Sequence, residues 1–265
     1  MSEKTRVALL GAGGQMGRET ARAIAEADDM ELVGACDVAC AGEPLSKVAP
    51  VSGVDVIVSG DFGEMIASCS AHVLVDFAKP FDIGRVRLAM ESGVVPIIGA
   101  TGQSAQDLAE IDSIARTTGV GALVAPNFAV GAVLMMRFAA EAARYLPNVE
   151  IIELHHDRKA DAPSGTSIKT AELIAAARDA AGVRPTPPAG ADSPARGEER
   201  ANVRIHSVRL PGLVAHQEVI LGGQGQALTI RHDSMDRSSF MPGVLLAVRR
   251  AREIKGFVYG LENLL

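Results

Sequence analysis

The sequence predicts an α/β fold: an N-terminal doubly wound parallel sheet, then an α+β domain whose sheet is mostly antiparallel. Three observations carry that expectation. Apolar, β-branched runs alternate with helix-forming segments through the first half, the pattern of parallel strands covered on both faces. A glycine cluster, Gly11-Ala12-Gly13-Gly14-Gln15-Met16-Gly17, separates the first run from the first helix. Beyond Asn127 the alternation gives way to strand-like runs that follow one another, the last two joined by Gly222-Gly223-Gln224-Gly225.

In chain order, Val7 to Leu10 reads as the first strand and about Gln15 to Ala27 as the first helix. Leu32 to Cys36 is a second strand, ending at Asp37. Val54 to Val58, Val73 to Phe77, Val94 to Ile98 and Ala122 to Ala125 are further strands. Between them, Asp82 to Glu91 and Ser104 to Thr117 are helices. Ser104 is placed to cap the second of these, with Asp107 as the reciprocal acid of a capping box. Residues 117–136 carry no charge, but Pro126-Asn127 splits them into a buried strand and the start of a helix, so they are core rather than a membrane span.

Val130 to Tyr145 is an Ala- and Met-rich helix, and Val149 to His155 is a strand. Ser164 to Ala181 is a helix with Ile168, Ala171, Ile174 and Ala175 along one face, capped by Asp161 or Ser164. Residues 184–201 show no hydrophobic period and read as a long loop, of a length usually tied to function or mobility. Val203 to Val208, Leu213 to Leu221 and Ala227 to His232 read as antiparallel strands. A final helix spans Ser239 to Arg252 and is expected to return to the first domain.

The bulk properties narrow the function. The chain has 265 residues, 48% hydrophobic and 22% charged, enough for one large or two modest cores. A net charge of −6 argues against a nucleic-acid partner, which needs surplus Lys and Arg. The N-terminus enters a strand without a signal-peptide core. Three cysteines, Cys36, Cys40 and Cys69, are too few for a disulfide framework. A cytoplasmic protein without a membrane partner is expected.

The glycine cluster follows a strand and opens a helix, the setting of a Rossmann-like dinucleotide site. Glycines there let the backbone approach a pyrophosphate, whose charge the helix N-terminus meets. The match to G-x-G-x-x-G is imperfect, because Met16 takes the third glycine position; Gly11, Gly14 and Gly17 offer another spacing. Alone, such a cluster is equally an ordinary tight turn. Asp37, about twenty residues on at the end of the second strand, raises the cofactor reading, since its carboxylate can accept the ribose hydroxyls. The same carboxylate repels a 2′-phosphate, and Val38, Ala39 and Cys40 add no compensating base, so NADH is favoured over NADPH. Lys79 is either an aid at the adenosine end or an exposed loop lysine. Gly99-Ala100-Thr101-Gly102 offers a backbone surface for the nicotinamide or is a plain strand–helix turn.

The run Glu153-Leu154-His155-His156-Asp157-Arg158-Lys159-Ala160-Asp161-Ala162-Pro163-Ser164-Gly165-Thr166 is the densest in chemistry. His155 ends a strand and titrates near neutral pH, as a proton donor must. Lys159 supplies a fixed charge, and Ser164-Gly165-Thr166 opens a helix whose first N–H groups suit a carboxylate. Each feature has a plainer reading, as a satisfied histidine or a common helix start. Adjacent histidines on a strand point to opposite faces, so His155 and His156 are poor joint ligands, and no spaced His/Cys set supports a metal. No G-x-S-x-G elbow supports a serine nucleophile.

Taken together these motifs resemble the family of 4-hydroxy-tetrahydrodipicolinate reductases (dihydrodipicolinate reductases) of bacterial lysine and diaminopimelate biosynthesis. The resemblance rests chiefly on residues 153–166, and extends over Gly11 to Gly17, Asp76-Phe77, Gly99 to Gly102, Ala125-Pro126-Asn127-Phe128 and Arg237-Ser238-Ser239-Phe240. It implies NAD(P)H-dependent reduction of 4-hydroxy-tetrahydrodipicolinate to tetrahydrodipicolinate, with hydride from the nicotinamide and His155 as proton donor beside Lys159. It implies that His156, Gly165 and Thr166 bind the substrate, a small dicarboxylate. It implies that Gly11, Ala12, Gly13, Gly14, Gln15, Met16, Asp37, Gly99, Ala100, Thr101, Ala125, Pro126, Asn127 and Phe128 contact the cofactor. Val38 stands where strongly NADPH-accepting members carry an arginine, so the resemblance too implies NADH as preferred cofactor, with NADPH as a second. It implies a homotetramer built through the sheet of the second domain. The expected division is a dinucleotide-binding domain of residues 1–127 completed by 239–265, and a substrate-binding and oligomerisation domain of residues 128–238. Two competing readings are an NAD-dependent amino-acid dehydrogenase of similar architecture and a non-enzymatic NADH-binding sensor. The sensor leaves the run from Lys159 to Thr166 without a role and lacks a basic helix-turn-helix segment.

Overall fold

The computed structural model describes residues 3–186 and 193–265. They form two compact units: one runs to Phe128 and resumes over Phe240–Leu265, the other is Ala129–Ser239. In the first unit the chain runs β1 (Thr5–Leu10), α1 (Gln15–Glu26), β2 (Met30–Cys36), α2 (Leu45–Val48), β3 (Val58–Ser59), α3 (Phe62–Cys69), β4 (Val73–Asp76), α4 (Ile83–Glu91), β5 (Val95–Ile98), α5 (Ala105–Thr118) and β6 (Ala122–Val124). The second unit holds α6 (Val130–Ala143), β7 (Asn148–His155), α7 (Gly165–Ala181), β8 (Glu198–Arg200), β9 (Val203–Arg209), β10 (Ala215–Gly223) and β11 (Gln226–Ser234). The chain then returns to the first unit as α8 (Met241–Arg250) and β12 (Phe257–Tyr259).

The first unit is a Rossmann-like sheet of seven strands in the order β12-β6-β5-β4-β1-β2-β3, with every ladder parallel. Its strands are buried on both faces, which is why they are written in uninterrupted Val, Leu and Ile. Leu10 and Leu74 pack with Met65, Ile66 and Cys69 of α3, while Ile98 and Val124 pack with Val86, Met90, Ile111 and Ile114 of α4 and α5. Each fully buried aliphatic side chain contributes about 1.5–3 kcal/mol. The expected capping box forms: the Asp107 N–H donates to the Ser104 hydroxyl at 3.1 Å, and the Ser104 N–H donates to the Asp107 carboxylate at 2.7 Å. The final helix, α8, packs on α1 and β1 within this unit.

Two sequence expectations change here. The strand expected over Val54 to Val58 shrinks to Val58–Ser59, preceded by a lone bridge from Ile57 to Pro44. It lies at the sheet edge, where only one neighbour offers hydrogen bonds, and Ile57 is exposed. The short α2, α3 and β12 were not expected; α3 begins at Asp61, whose side chain accepts from the Glu64 N–H at 2.9 Å.

The second unit carries a five-stranded sheet in the order β11-β10-β7-β9-β8, covered on one face by α6 and α7. Three of its ladders are antiparallel, but β9 runs parallel to β7. This corrects the antiparallel reading of Val203 to Val208. Between the two strands lies α7, and a parallel neighbour needs such a crossover. Along β7, Val149, Ile151 and Glu153 face the core in alternation. The β10–β11 hairpin turns on Gln224-Gly225, with Gly225 at φ +70°. Of the long loop expected over residues 184–201, residues 187–192 lie outside the described residues; Pro194–Arg196 is a 3-10 turn and Glu198–Arg200 is β8, which pairs with β9. Among the described residues, no helix is long and apolar enough to cross a membrane.

Candidate active site

The parallel sheet has its topological switch at β1, which pairs with β2 on one side and β4 on the other. Ligands of open α/β sheets bind beyond the carboxyl ends of strands at such a point. The glycine cluster sits there. Gly11 has φ +82°, and a Cβ on it would lie 2.8 Å from the backbone nitrogen of Ala78, beyond β4. A Cβ on Gly17 would lie 2.1 Å from the Gly11 carbonyl oxygen. Gly17 therefore allows close helix–strand packing, whereas a Cβ on Gly14 would lie 3.3 Å from the same carbonyl oxygen. Met16, at the nominal third glycine position, is half-buried in the first turn of α1 beside Gln15. Ala12 is buried. Gly14 caps α1 with no side-chain acceptor, and the first turn holds no acid. An uncapped helix start of this kind suits an anion. Asp37 closes the loop from the β2 side: one carboxylate oxygen accepts from the Gly13 N–H at 2.9 Å and the other from the Ala39 N–H at 2.9 Å. Val38, beside it, is 83% exposed.

Farther along the same strand ends, the Gly99 and Ala100 N–H groups both donate to the Asp76 carbonyl at 2.9 Å. Gly99 has no room for a side chain, since a Cβ there would lie 2.2 Å from the Phe77 ring and 2.8 Å from the Phe128 ring. Those two rings meet edge to face at 5.8 Å. The Ala125 N–H donates to the Ile98 carbonyl at 2.9 Å, while Thr101 and Pro126 are exposed and Asn127 is half-buried. Lys79 is exposed. Asp76, given no role in the sequence reading beyond its place in the resemblance, is buried with one oxygen accepting from the Ala78 N–H at 2.8 Å and the other unpartnered in the protein. Burial pushes its carboxyl up to about 6, against the lowering effects of the Ala78 N–H and the Arg85 charge.

In the second unit, the connection from β7 to α7 gathers His155, His156, Lys159, Gly165 and Thr166. His155 Nδ1 lies against a carboxylate oxygen of Glu153, two residues back on the same face. Arg209, on β9, clamps Glu153 with both Nη atoms, at 2.9 and 2.8 Å. The Ser164 N–H also reaches Glu153, at 3.3 Å, and Arg209 Nη2 donates to the Asp161 carbonyl at 2.7 Å. Burial would raise the Glu153 carboxyl, but hydrogen bonds from His155, Arg209 and then Ser207 outweigh it and hold it at about 2. Lys159 Nζ pairs with Asp161 at 2.7 and 2.8 Å. His156, just past the strand, has a buried Nδ1 without a protein partner, and its carbonyl accepts from the Lys159 N–H at 3.2 Å. Ser164, rather than Asp161, caps α7, its hydroxyl accepting from the Ser167 N–H at 3.2 Å. The next residue, Gly165, is exposed with open space over its Cα, and the Thr166 carbonyl accepts from the Thr170 hydroxyl at 2.7 Å.

Glu153 opens the run singled out in the sequence but has no role assigned there, and Arg209 goes unmentioned. The available signal was a carboxylate in the inward register of a strand that otherwise turns Val149 and Ile151 to the core, where a charge requires a partner. Among the described residues, no group of three or more His, Cys, Asp or Glu is placed to hold a metal. A cavity of about 840 Å³ opens instead at the other end of β7, near Asn148, Arg184 and Arg204, and none of the candidate site residues lines it.

The family model for the dihydrodipicolinate reductase N-terminus matches residues 5–128, and that for the dihydrodipicolinate reductase C-terminus matches residues 131–265. The 4-hydroxy-tetrahydrodipicolinate reductase of Syntrophomonas wolfei is 48% identical over 266 residues, covering 100% of both chains. A dipicolinate-bound dihydrodipicolinate reductase from Paenisporosarcina sp. TG-14 superposes with a TM-score of 0.87 at 42% identity, over 99% of this chain and 100% of that one. An amine dehydrogenase from Mycobacterium smegmatis shares the fold alone, with a TM-score of 0.65 at 15% identity over 96% of this chain and 94% of its own.

Proposed function

The chain belongs to the dihydrodipicolinate reductase family and is an oxidoreductase, and from that premise we propose that it reduces 4-hydroxy-tetrahydrodipicolinate to tetrahydrodipicolinate with NADH. The observation that carries the reading is the β7–α7 connection, where an imidazole, an ammonium group and the exposed Gly165 at a helix start share one short segment. A cyclic dicarboxylate needs a proton donor and anion contacts side by side, and the Paenisporosarcina relative is described with dipicolinate bound.

The fit to a dinucleotide rests on Gly11 and Gly17, where a Cβ would strike backbone, and on the uncapped start of α1. In this reading Gly11, Ala12, Gly13, Gly14, Gln15 and Met16 hold the pyrophosphate and Asp37 takes the ribose hydroxyls. Gly99, Ala100, Thr101 and residues 125–128 bound the nicotinamide. When bound, the reduced dinucleotide supplies the hydride. His155 delivers a proton from Nε2 to the neighbouring ring carbon, and Lys159 supplies positive charge to the substrate. The Gly165 N–H and the Thr166 N–H and hydroxyl hold one carboxylate, with His156 as a further contact. Asp37 with exposed Val38 beside it disfavours a 2′-phosphate, which supports NADH over NADPH. Free Cys36, Cys40 and Cys69 support a cytoplasmic setting.

We further propose a homotetramer assembled through the sheet of residues 129–239. Support comes from β11, an edge strand with Gln226–Thr229 exposed, of the kind that seeks a partner. Light scattering should return four times the mass of one chain; a monomer would contradict this. The function itself is tested by NADH oxidation with substrate generated in place from pyruvate and aspartate semialdehyde by the preceding enzyme, repeated with NADPH. Rapid substrate-dependent oxidation, faster with NADH, is expected. Oxidation with other keto or imino acids and none with this substrate would replace the reading with an amino-acid dehydrogenase.

A further inference from the structure

We propose that Glu153, clamped by Arg209, is the positioning residue that fixes the tautomer and orientation of His155 and ties it to the segment bearing Lys159. The inference rests on the reading of His155 as proton donor.

A carboxylate with no exposed surface is costly to place in a sheet core unless its oxygens are paired. Glu153 is paired beyond that need. Arg209 occupies both oxygens through a two-pronged contact, the geometry in which a guanidinium holds a carboxylate most firmly. His155 Nδ1 takes a further contact on one oxygen, and the Ser164 N–H takes one on the other. An ionised carboxylate can only accept hydrogen bonds, so the hydrogen between the two groups belongs to His155 Nδ1. That leaves Nε2 as the nitrogen that exchanges a proton. In turnover the proton leaves Nε2 for the substrate carbon; the ring stays protonated at Nδ1 and neutral, and solvent restores the proton to Nε2. The arrangement is that of a carboxylate holding a catalytic imidazole in one tautomer.

Arg209 extends the effect to Lys159. Its Nη2 also donates to the Asp161 carbonyl, while the Asp161 carboxylate pairs with Lys159. One guanidinium thus spans the acid's support and the loop that carries the neighbouring cation. The charged groups near Glu153 are His155 on β7, Arg209 on β9 and the Lys159–Asp161 pair of the connection. The facing residue on β10, Gln217, is neutral, as is Ser164 at the start of α7.

The test has two parts. In Glu153→Gln the shape remains and the charge goes; kcat should fall about 10- to 100-fold, as when a supporting carboxylate behind a histidine is removed. KM for the substrate should stay within about threefold, because the substrate contacts are untouched. The alkaline limb of the kcat profile should move to lower pH, since the protonated ring loses its counter-charge. Arg209→Lys, which keeps a cation beside Glu153, should retain the fold with a smaller loss of kcat. Independently, nitrogen NMR of the wild-type histidine side chains should show His155 protonated at Nδ1 in its neutral form, and in Glu153→Gln a population protonated at Nε2. A folded Glu153→Gln with wild-type kcat and pH limb, or a wild-type His155 protonated at Nε2 when neutral, would overturn the proposal. Absence of turnover in the wild type would instead remove the functional reading, and the tautomer measurement would still judge the role of Glu153.

Discussion

At the scale of single residues, two buried carboxylates show how placement sets protonation. Glu153 has partners on both oxygens and stays ionised, whereas Asp76 has one backbone donor and is pushed up to about 6. The signs of their pH dependence are opposite. Glu153, lowered from its unfolded value, contributes stability above about pH 4.5 that is lost as pH falls toward 2. Asp76, raised, costs nothing below its unfolded value of 3.8, and its penalty grows as pH rises to about 6, reaching about 3 kcal/mol at most. Asp76→Asn keeps an acceptor for the Ala78 N–H and removes the charge. Its stability relative to wild type should therefore rise between pH 4 and pH 7 in paired denaturation curves. The amide's own burial cost is equal at both ends, so the slope is the readout; parallel curves would refute the assignment. The run that holds His155 and Lys159 stood out in the sequence because its residues are contiguous. The support of His155 did not, because Arg209 is 56 residues from Glu153 and reaches it only through the parallel pairing of β7 and β9, which local pattern cannot reveal.

At the scale of elements, legibility followed length and capping chemistry. The capping pair Ser104 and Asp107 and the Ser164 cap of α7 marked helix starts that the structure repeats. Of the elements that went unseen, α2, β8 and β12 span three or four residues, too few for a period to show, while α3 spans eight, barely two turns. The glycine loop was legible as a loop, but which of its glycines approach neighbouring backbone most closely shows only in the contacts. A Cβ on Gly17 would meet an oxygen of the loop backbone at 2.1 Å, whereas one on Gly14 would meet the same oxygen at 3.3 Å. Gly17→Ala should therefore cost about 1–3 kcal/mol of stability by overpacking and weaken NADH binding more than tenfold. Gly14→Ala should be the milder of the two. Fluorescence titration alongside thermal melts reads both quantities; wild-type affinity in Gly17→Ala would contradict the role given to that contact.

At the scale of the whole molecule, the alternation of strands and helices announced the parallel sheet, and its loss after Asn127 announced a second, mostly antiparallel one, from which the parallel β9 departs. That architecture does not specify chemistry, since an amine dehydrogenase of 15% identity shares it. In the proposed reaction the chemistry falls to the few residues between β7 and the first turn of α7, and variants there separate donation of a proton from binding of a carboxylate. The most direct test is steady-state kinetics of His155→Gln beside Thr166→Ala, both with saturating NADH. The account predicts a fall in kcat of about 10²–10⁴ with little change in KM for His155→Gln. For Thr166→Ala it predicts the reverse, a raised KM with kcat largely kept. Normal turnover in a folded His155→Gln would contradict it.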